Sequence, residues 1–150
     1  MKRFHFPLRP VAIMRAHQEL RAREVLAASI RATTQSAERL AAARARVAEL
    51  ESILFASRRR TLRAADEAAF FQAYRRECAA ELEAQGRFLA ARAEMERCRE
   101  AYLEASRRVK TVERLEERAR ESYRLDYLRA EQSGIDEIAG RRSVQRGALT

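Results

Sequence analysis

The side chains that could do chemistry are few and scattered. Cys78 and Cys98 stand twenty positions apart, and His5 and His17 lie at the other end of the chain. A metal site needs several such residues at ligand spacing, and neither pair has a neighbour of that kind. Both thiols therefore read as small apolar residues in a helical seam. There is no glycine-rich phosphate loop and no Cys/His pair at nucleophile–base spacing. Carboxylates are plentiful, but adjacent ones such as Glu116 and Glu117 have the pattern of a solvated helix surface. The expectation is a protein that is not an enzyme, with no catalytic, cofactor-binding or metal-binding residue and no small-molecule substrate. Its function must then be carried by surfaces.

The elements that present those surfaces follow from composition. The chain has 150 residues, 47% of them hydrophobic and many of these Ala, with 7% aromatics, no Trp and four glycines. Charged residues make up 35% and the two signs interleave. Abundant Ala, Glu, Arg and Leu at helical spacing predict long helices or a coiled coil in a single domain. The formal net charge is +9, and Lys2 and Lys110 are the only lysines. Arginine's planar fork suits carboxylates and phosphates alike, so nucleic acid, an acidic membrane surface and an acidic protein are all admitted as partners.

Pro7 and Pro10 are the only prolines. They predict an extended lead-in over 1–9, with Pro10 in the first turn of a helix, where its missing N–H costs nothing. Phe4, Phe6 and Leu8 are then free to fold back on a neighbouring element. A first helix is expected over 10–57, with apolar positions at Ile13, Ala16, Leu20, Ala27, Ile30 and Ala37. They continue at Leu40, Ala43, Val47, Leu50 and Leu54 after a slip of about one residue near Leu40, as a stammer would produce.

An irregular or short-helix tip is expected over 58–75. It holds the basic cluster Arg58, Arg59, Arg60 and Arg63, a possible N-cap at Asp66, and the aromatic group Phe70, Phe71 and Tyr74. A second helix over 76–139 has the clearer heptad. One seam position reads Phe88, Met95, Tyr102, Val109, Glu116, Tyr123, Ala130, and the other Ala84, Ala91, Cys98, Ala105, Val112, Ala119, Asp126. Gly134 and Gly140 suggest fraying into a loose tail over 140–150. The fold class expected is all-α, a long antiparallel two-helix coiled-coil hairpin. No window is apolar enough to span a membrane, and the start lacks the continuous apolar run of a signal peptide, so a cytoplasmic setting is expected.

Two stretches at opposite ends of the chain resemble the FliJ family, soluble components of the bacterial flagellar type III export apparatus. "FHFPLRPVAIMRAHQE" is similar to that family's aromatic-x-aromatic-Pro-Leu-x-Pro-Val opening. "KTVERLEERARESYR" resembles its Lys-x-x-Glu-Lys/Arg-Leu-x-Glu-Arg run followed by Tyr, through Lys110, Glu113, Arg114, Leu115, Glu117, Arg118 and Tyr123. The related injectisome stalk proteins share the architecture. The resemblance implies a non-enzymatic central stalk that inserts into the hexameric ring of an export ATPase and promotes its assembly. It also implies coupling of the ring to a membrane export-gate protein and handling of export chaperones, in the cytoplasm and peripherally at the inner face of the cell membrane. The implied ring contacts are Phe4, Phe6, Leu8, Lys110, Arg114, Arg118 and Tyr123, with Arg107, Arg108, Arg120 and Arg124 extending the basic set. Phe70, Phe71 and Tyr74, at the expected tip, are our physical candidates for gate or chaperone contact. The alternative is a basic structural coiled coil or a nucleic-acid-binding protein. Nucleic acid is disfavoured, because no aromatics for stacking on single strands interleave with the basic cluster.

Overall fold

A computed structural model describes residues 3–57 and 63–147, with side chains as far as 142. The chain forms two helices, α1 (Arg9–Ser57) and α2 (Ala64–Gly147), and no strand is present among the described residues. The chain divides into two compact units, Met1–Gln18 with Ala105–Thr150, and Glu19–Glu104. Each pairs a stretch of α1 with a stretch of α2, and the fold class is the expected all-α hairpin.

In the unit Glu19–Glu104 the cross-helix partners fix the direction of packing. The Thr33 hydroxyl donates to the Ala91 carbonyl at 3.2 Å, Arg44 Nε to Glu81 at 3.4 Å, Arg46 Nε to Glu77 at 2.9 Å and the Tyr74 hydroxyl to Glu51 at 2.9 Å. The α2 partner's number falls as the α1 number rises, which is an antiparallel pair.

Burial along α2 follows the expected heptad. Ala84, Phe88, Ala91, Met95, Cys98, Tyr102, Ala105, Val109, Val112, Glu116 and Ala119 are all buried or half-buried, as are Phe70, Tyr74, Glu77 and Glu81 before them. From Arg120 to Arg142 every residue is exposed, so the expected seam positions Tyr123, Asp126 and Ala130 lie beyond the buried stripe.

Along α1 the buried stripe agrees with the expected one at Leu40, Ala43, Val47, Leu50 and Leu54, and Ala27 and Ala37 are half-buried as expected, but before Leu40 its main line differs. It runs Ala12, Arg15, Glu19, Ala22, Leu26, Ser29, Thr33, Ser36, Leu40, Ala43, Val47, Leu50 and Leu54, at unbroken alternating steps of three and four. The expected stammer near Leu40 does not occur, and Ile13, Leu20 and Ile30 are 55%, 51% and 46% exposed. The strongest apolar run, Leu40 to Leu54, sets the register, and continuing it backward without overwinding the coil brings hydroxyl residues onto the seam. Two of them, Ser29 and Thr33, are satisfied locally. Ser29 donates to the Leu26 carbonyl at 2.8 Å and Thr33 to the Ser29 carbonyl at 2.9 Å.

The helix ends also shift. α2 starts at Ala64, so 64–75, expected within the irregular tip, is helical, while 58–62 with Arg58, Arg59 and Arg60 lie outside the described residues. The Arg63 carbonyl accepts the first bonds, from the backbone N–H of Asp66 at 3.0 Å and of Glu67 at 3.1 Å. Asp66 is therefore not the N-cap. It sits with Glu67 inside the first turn, where carboxylates complement the positive end of the helix dipole. At the other end α2 continues to Gly147, through Gly134 and Gly140. Neither has a positive φ, and single glycines costing about 1 kcal/mol each are carried by flanking residues with good helix propensity.

Ala43 is 1% exposed, the most enclosed side chain of the seam, and Leu40 and Val47 on either side are 6% and 8% exposed. A small residue there lets the two backbones approach, so a larger one overpacks. Ala43→Leu is expected to destabilise the fold by about 1–3 kcal/mol in urea unfolding followed by circular dichroism. The neighbouring exposed change Ala42→Leu should stay within about 0.5 kcal/mol of wild type.

Candidate functional site

The unit that contains both chain ends is built on a proline turn. The Phe6 carbonyl accepts from the Arg9 N–H at 3.2 Å across Pro7 and Leu8, and the Leu8 carbonyl accepts from Ala12 at 3.0 Å. Pro7 holds the second position of this turn, where its fixed φ is pre-set. Pro10 lies in the first turn of α1, as its chemistry requires. The turn lays the lead-in against α2. Phe6 is 6% exposed and Val112 8%, the two buried apolar side chains among the described residues of this unit. The Phe4 ring packs on Tyr123 with centroids 5.5 Å apart and planes tilted by 60°. The Arg120 guanidinium lies over the same ring at 5.8 Å. Its Nη2 also donates to Glu116 at 2.6 Å, so one arginine is fixed by a carboxylate and an aromatic face together.

The sequence-predicted ring contacts thus fall together in one unit, and they divide by environment. Phe6 is enclosed, and Phe4 and Tyr123 hold each other. Leu8 keeps 39% exposure. Lys110, Arg114 and Arg118 follow at four-residue steps on the helix, are exposed, and make no ion pair with a described residue. Arg120, by contrast, is held by Glu116 and Phe4. Beside this cluster a shallow groove of about 390 Å³ is lined by Arg9, Ala12, Val109, Glu113 and Arg120 among others, with both signs of charge on its walls.

The second candidate surface belongs to the unit Glu19–Glu104. Phe70 is half-buried and Phe71 is 44% exposed, with their rings edge to face at 6.5 Å. Tyr74 is half-buried and bonded to Glu51. Sequence reasoning missed Phe55 and Ile53 near the end of α1, which are 71% and 48% exposed. The signal was present in "SILFAS", where Phe55 falls off the heptad of Leu50 and Leu54. Phe55 is therefore an aromatic with no place on the seam.

Among the described residues no group of three or more His, Cys, Asp or Glu is placed to hold a metal ion, and no helix is long and apolar enough to cross a membrane. Cys98 is buried in the seam and Cys78 half-buried, both as free thiols.

The family model described as the flagellar FliJ protein matches residues 4–148. No curated protein and no solved structure matches the chain.

One side chain of the second surface has an altered acidity. The Tyr74 hydroxyl donates to Glu51, and this bond, followed by a smaller one to Cys78, pushes its pKa up from 10.0 to about 12. A raised folded-state pKa adds stability that is present below about pH 10 and is lost as pH rises through about 12. In a ¹³C-tyrosine NMR titration the Tyr74 ring should titrate at about pH 12. Glu51→Gln should return it toward the ordinary value.

Proposed function

This chain belongs to the FliJ family of flagellar export-apparatus components, and on that premise we propose that it is the non-enzymatic central stalk of the flagellar export ATPase. The unit holding both chain ends enters the hexameric ring, stimulates hydrolysis and favours ring assembly. The exposed aromatics of the other unit meet the membrane export-gate protein and export chaperones. The protein works in the cytoplasm at the inner face of the cell membrane, held there through the gate.

One observation carries the first part. The two stretches implied as ring contacts, far apart in sequence, are held to each other by the Phe4–Tyr123–Arg120 stack, with Phe6 buried in the same unit. Beside them Lys110, Arg114 and Arg118 offer cations that make no ion pair with a described residue. An acidic group on the ring can bind such cations without first breaking an internal pair, and contacts of this kind steer association and weaken with salt. The lead-in thus has a structural role, locking the end of the hairpin, and the basic row the contact role.

Purified protein should raise the hydrolysis rate of its export ATPase and shift that ATPase toward hexamers. Arg114→Glu/Arg118→Glu should remove most of the stimulation and its salt dependence while leaving helix content unchanged, since both residues are exposed. Full stimulation by that variant would overturn the reading.

The second surface is separable. Phe71→Asp should weaken binding of the gate protein's soluble domain, measured by titration calorimetry, by about tenfold or more, the loss of about 1.4 kcal/mol. The same variant should leave ATPase stimulation intact.

A further inference from the structure

Past Ala119 the stripe of α2 that packs on the N-terminal stretch comes to an end. The heptad positions that would continue it are Tyr123, Asp126, Ala130, Ser133 and Glu137, mostly polar, and all are exposed. A second apolar stripe takes over. Leu125, Leu128, Gln132, Ile135 and Ala139 recur at alternating steps of three and four, the spacing of a coiled-coil seam. At about 100° per residue they lie on roughly the opposite side of the helix from Ala105, Val112 and Ala119. Leu125 and Leu128 are each 49% exposed and Ile135 56%, values that leave only their own helix to cover them.

We propose that this stripe pairs antiparallel with the same stripe of a second copy of the chain. The charges that flank it select both the partner and the direction. With Leu125, Gln132 and Ala139 at position a and Leu128 and Ile135 at position d, Arg124 and Glu131 fall at g, and Arg129 and Asp136 at e. Parallel pairing sets each g against the following e of the other helix. Arg124 would then face Arg129, and Glu131 would face Asp136, a like-charge contact in every case. Antiparallel pairing sets e against e, so Arg129 of each copy faces Asp136 of the other, twice across the dyad.

The core agrees with this direction, because Leu128 then packs against Ala139 and Gln132 against Ile135, large against small or polar against apolar with no two glutamines forced together. The internal contacts of the two charged residues are long and exposed. Arg129 reaches Asp126 at 3.6 Å, and Gln132 reaches Asp136 at 3.4 Å, so both yield readily to a partner.

Leu125 to Ala139 spans about 21 Å of helix at about 1.5 Å per residue. Such a face falls below the roughly 1,200 Å² of ordinary specific interfaces. The dimer is therefore weak, reversible and dependent on concentration, and it competes with any other partner that takes the same face.

Sedimentation velocity on the full chain over a range of concentrations tests this. The wild type should pass from monomer to dimer, and Leu128→Asp should hold it monomeric with its helix content intact. Arg129→Glu alone and Asp136→Arg alone should each weaken the dimer by about tenfold or more, since each turns two attractive contacts into repulsive ones. Combining the two changes in one chain should restore it. In a parallel dimer the signs reverse, because the carboxylate introduced by Arg129→Glu would meet Arg124 and the guanidinium introduced by Asp136→Arg would meet Glu131. Tightening by either single change overturns the proposal. So does a wild type that stays monomeric at every concentration, including one whose stripe is protected only when an export ATPase is added, and so does self-association that Leu128→Asp leaves untouched.

Discussion

Two helices packed on each other can each hide only one stripe, and the rest of this protein follows from that limit. The described residues form no third layer, so side chains off the seam stay in water, and six described apolar residues reach burial: Phe6, Leu40, Ala43, Val47, Cys98 and Val112. A seam so narrow gains stability by staying regular. Each departure from the alternating steps of three and four would swing one helix's stripe away from the other's for every residue beyond it. Regularity therefore outranks local hydrophobicity, and α1 accepts Ser29, Thr33 and Ser36 on its buried face while Ile13, Leu20 and Ile30 remain outside. The hydroxyls make this tolerable, since a serine or threonine in a helix can return its hydrogen bond to a carbonyl one turn back.

The same limit explains the lead-in. Where α1 begins, α2 has no further helical partner, and its seam would end abruptly in water. The Pro7 turn folds residues 4–6 back across that place. Phe6 supplies the buried contact that another turn of helix would otherwise give. Phe4 then covers the next turn of α2, stacking on Tyr123 beneath the Arg120 guanidinium. Two prolines three residues apart are thus the device by which a non-helical segment extends a helical seam.

Much of this was legible in the sequence, and the misreadings have physical causes. The α2 seam could be read because Ala84, Ala91, Cys98, Ala105, Val112 and Ala119 alternate with large residues over many heptads, leaving one register. The N-terminal half of α1 offers two stripes, and local hydrophobicity favours the wrong one. Nothing local to Ile13 or Leu20 reveals that a cluster at Leu40 to Leu54 dictates their exposure. The start of α2 was masked by Asp66, whose side chain suits a cap and a first turn equally, so only the bonds to the Arg63 carbonyl separate the two. The fold-back of Phe4 and Phe6 followed from proline spacing. The arginine on Phe4 did not, because Arg120 meets that ring only once both helices are in place, and its i,i+4 acid Glu116 gave it an ordinary surface role in advance.

Arg120 also shows why a net charge of +9 says little about where a partner binds. Many arginines here have an acid one turn away: Arg87 pairs with Glu83, Arg97 with Glu94, Arg129 with Asp126 and Arg141 with Glu137. Each such pair contributes only a few tenths of a kcal/mol to the helix, yet it cancels much of its own field beyond a few ångströms. What reaches a partner is the field of the cations left over. Lys110, Arg114 and Arg118 are such a set, and their four-residue spacing keeps them in one row along a few turns of α2. A short row on a helix braced by the lead-in presents fixed charges in a fixed order. Recognition by such a row therefore depends on the spacing of the acids it meets, and a uniformly acidic surface lacking that spacing would be a poor substitute.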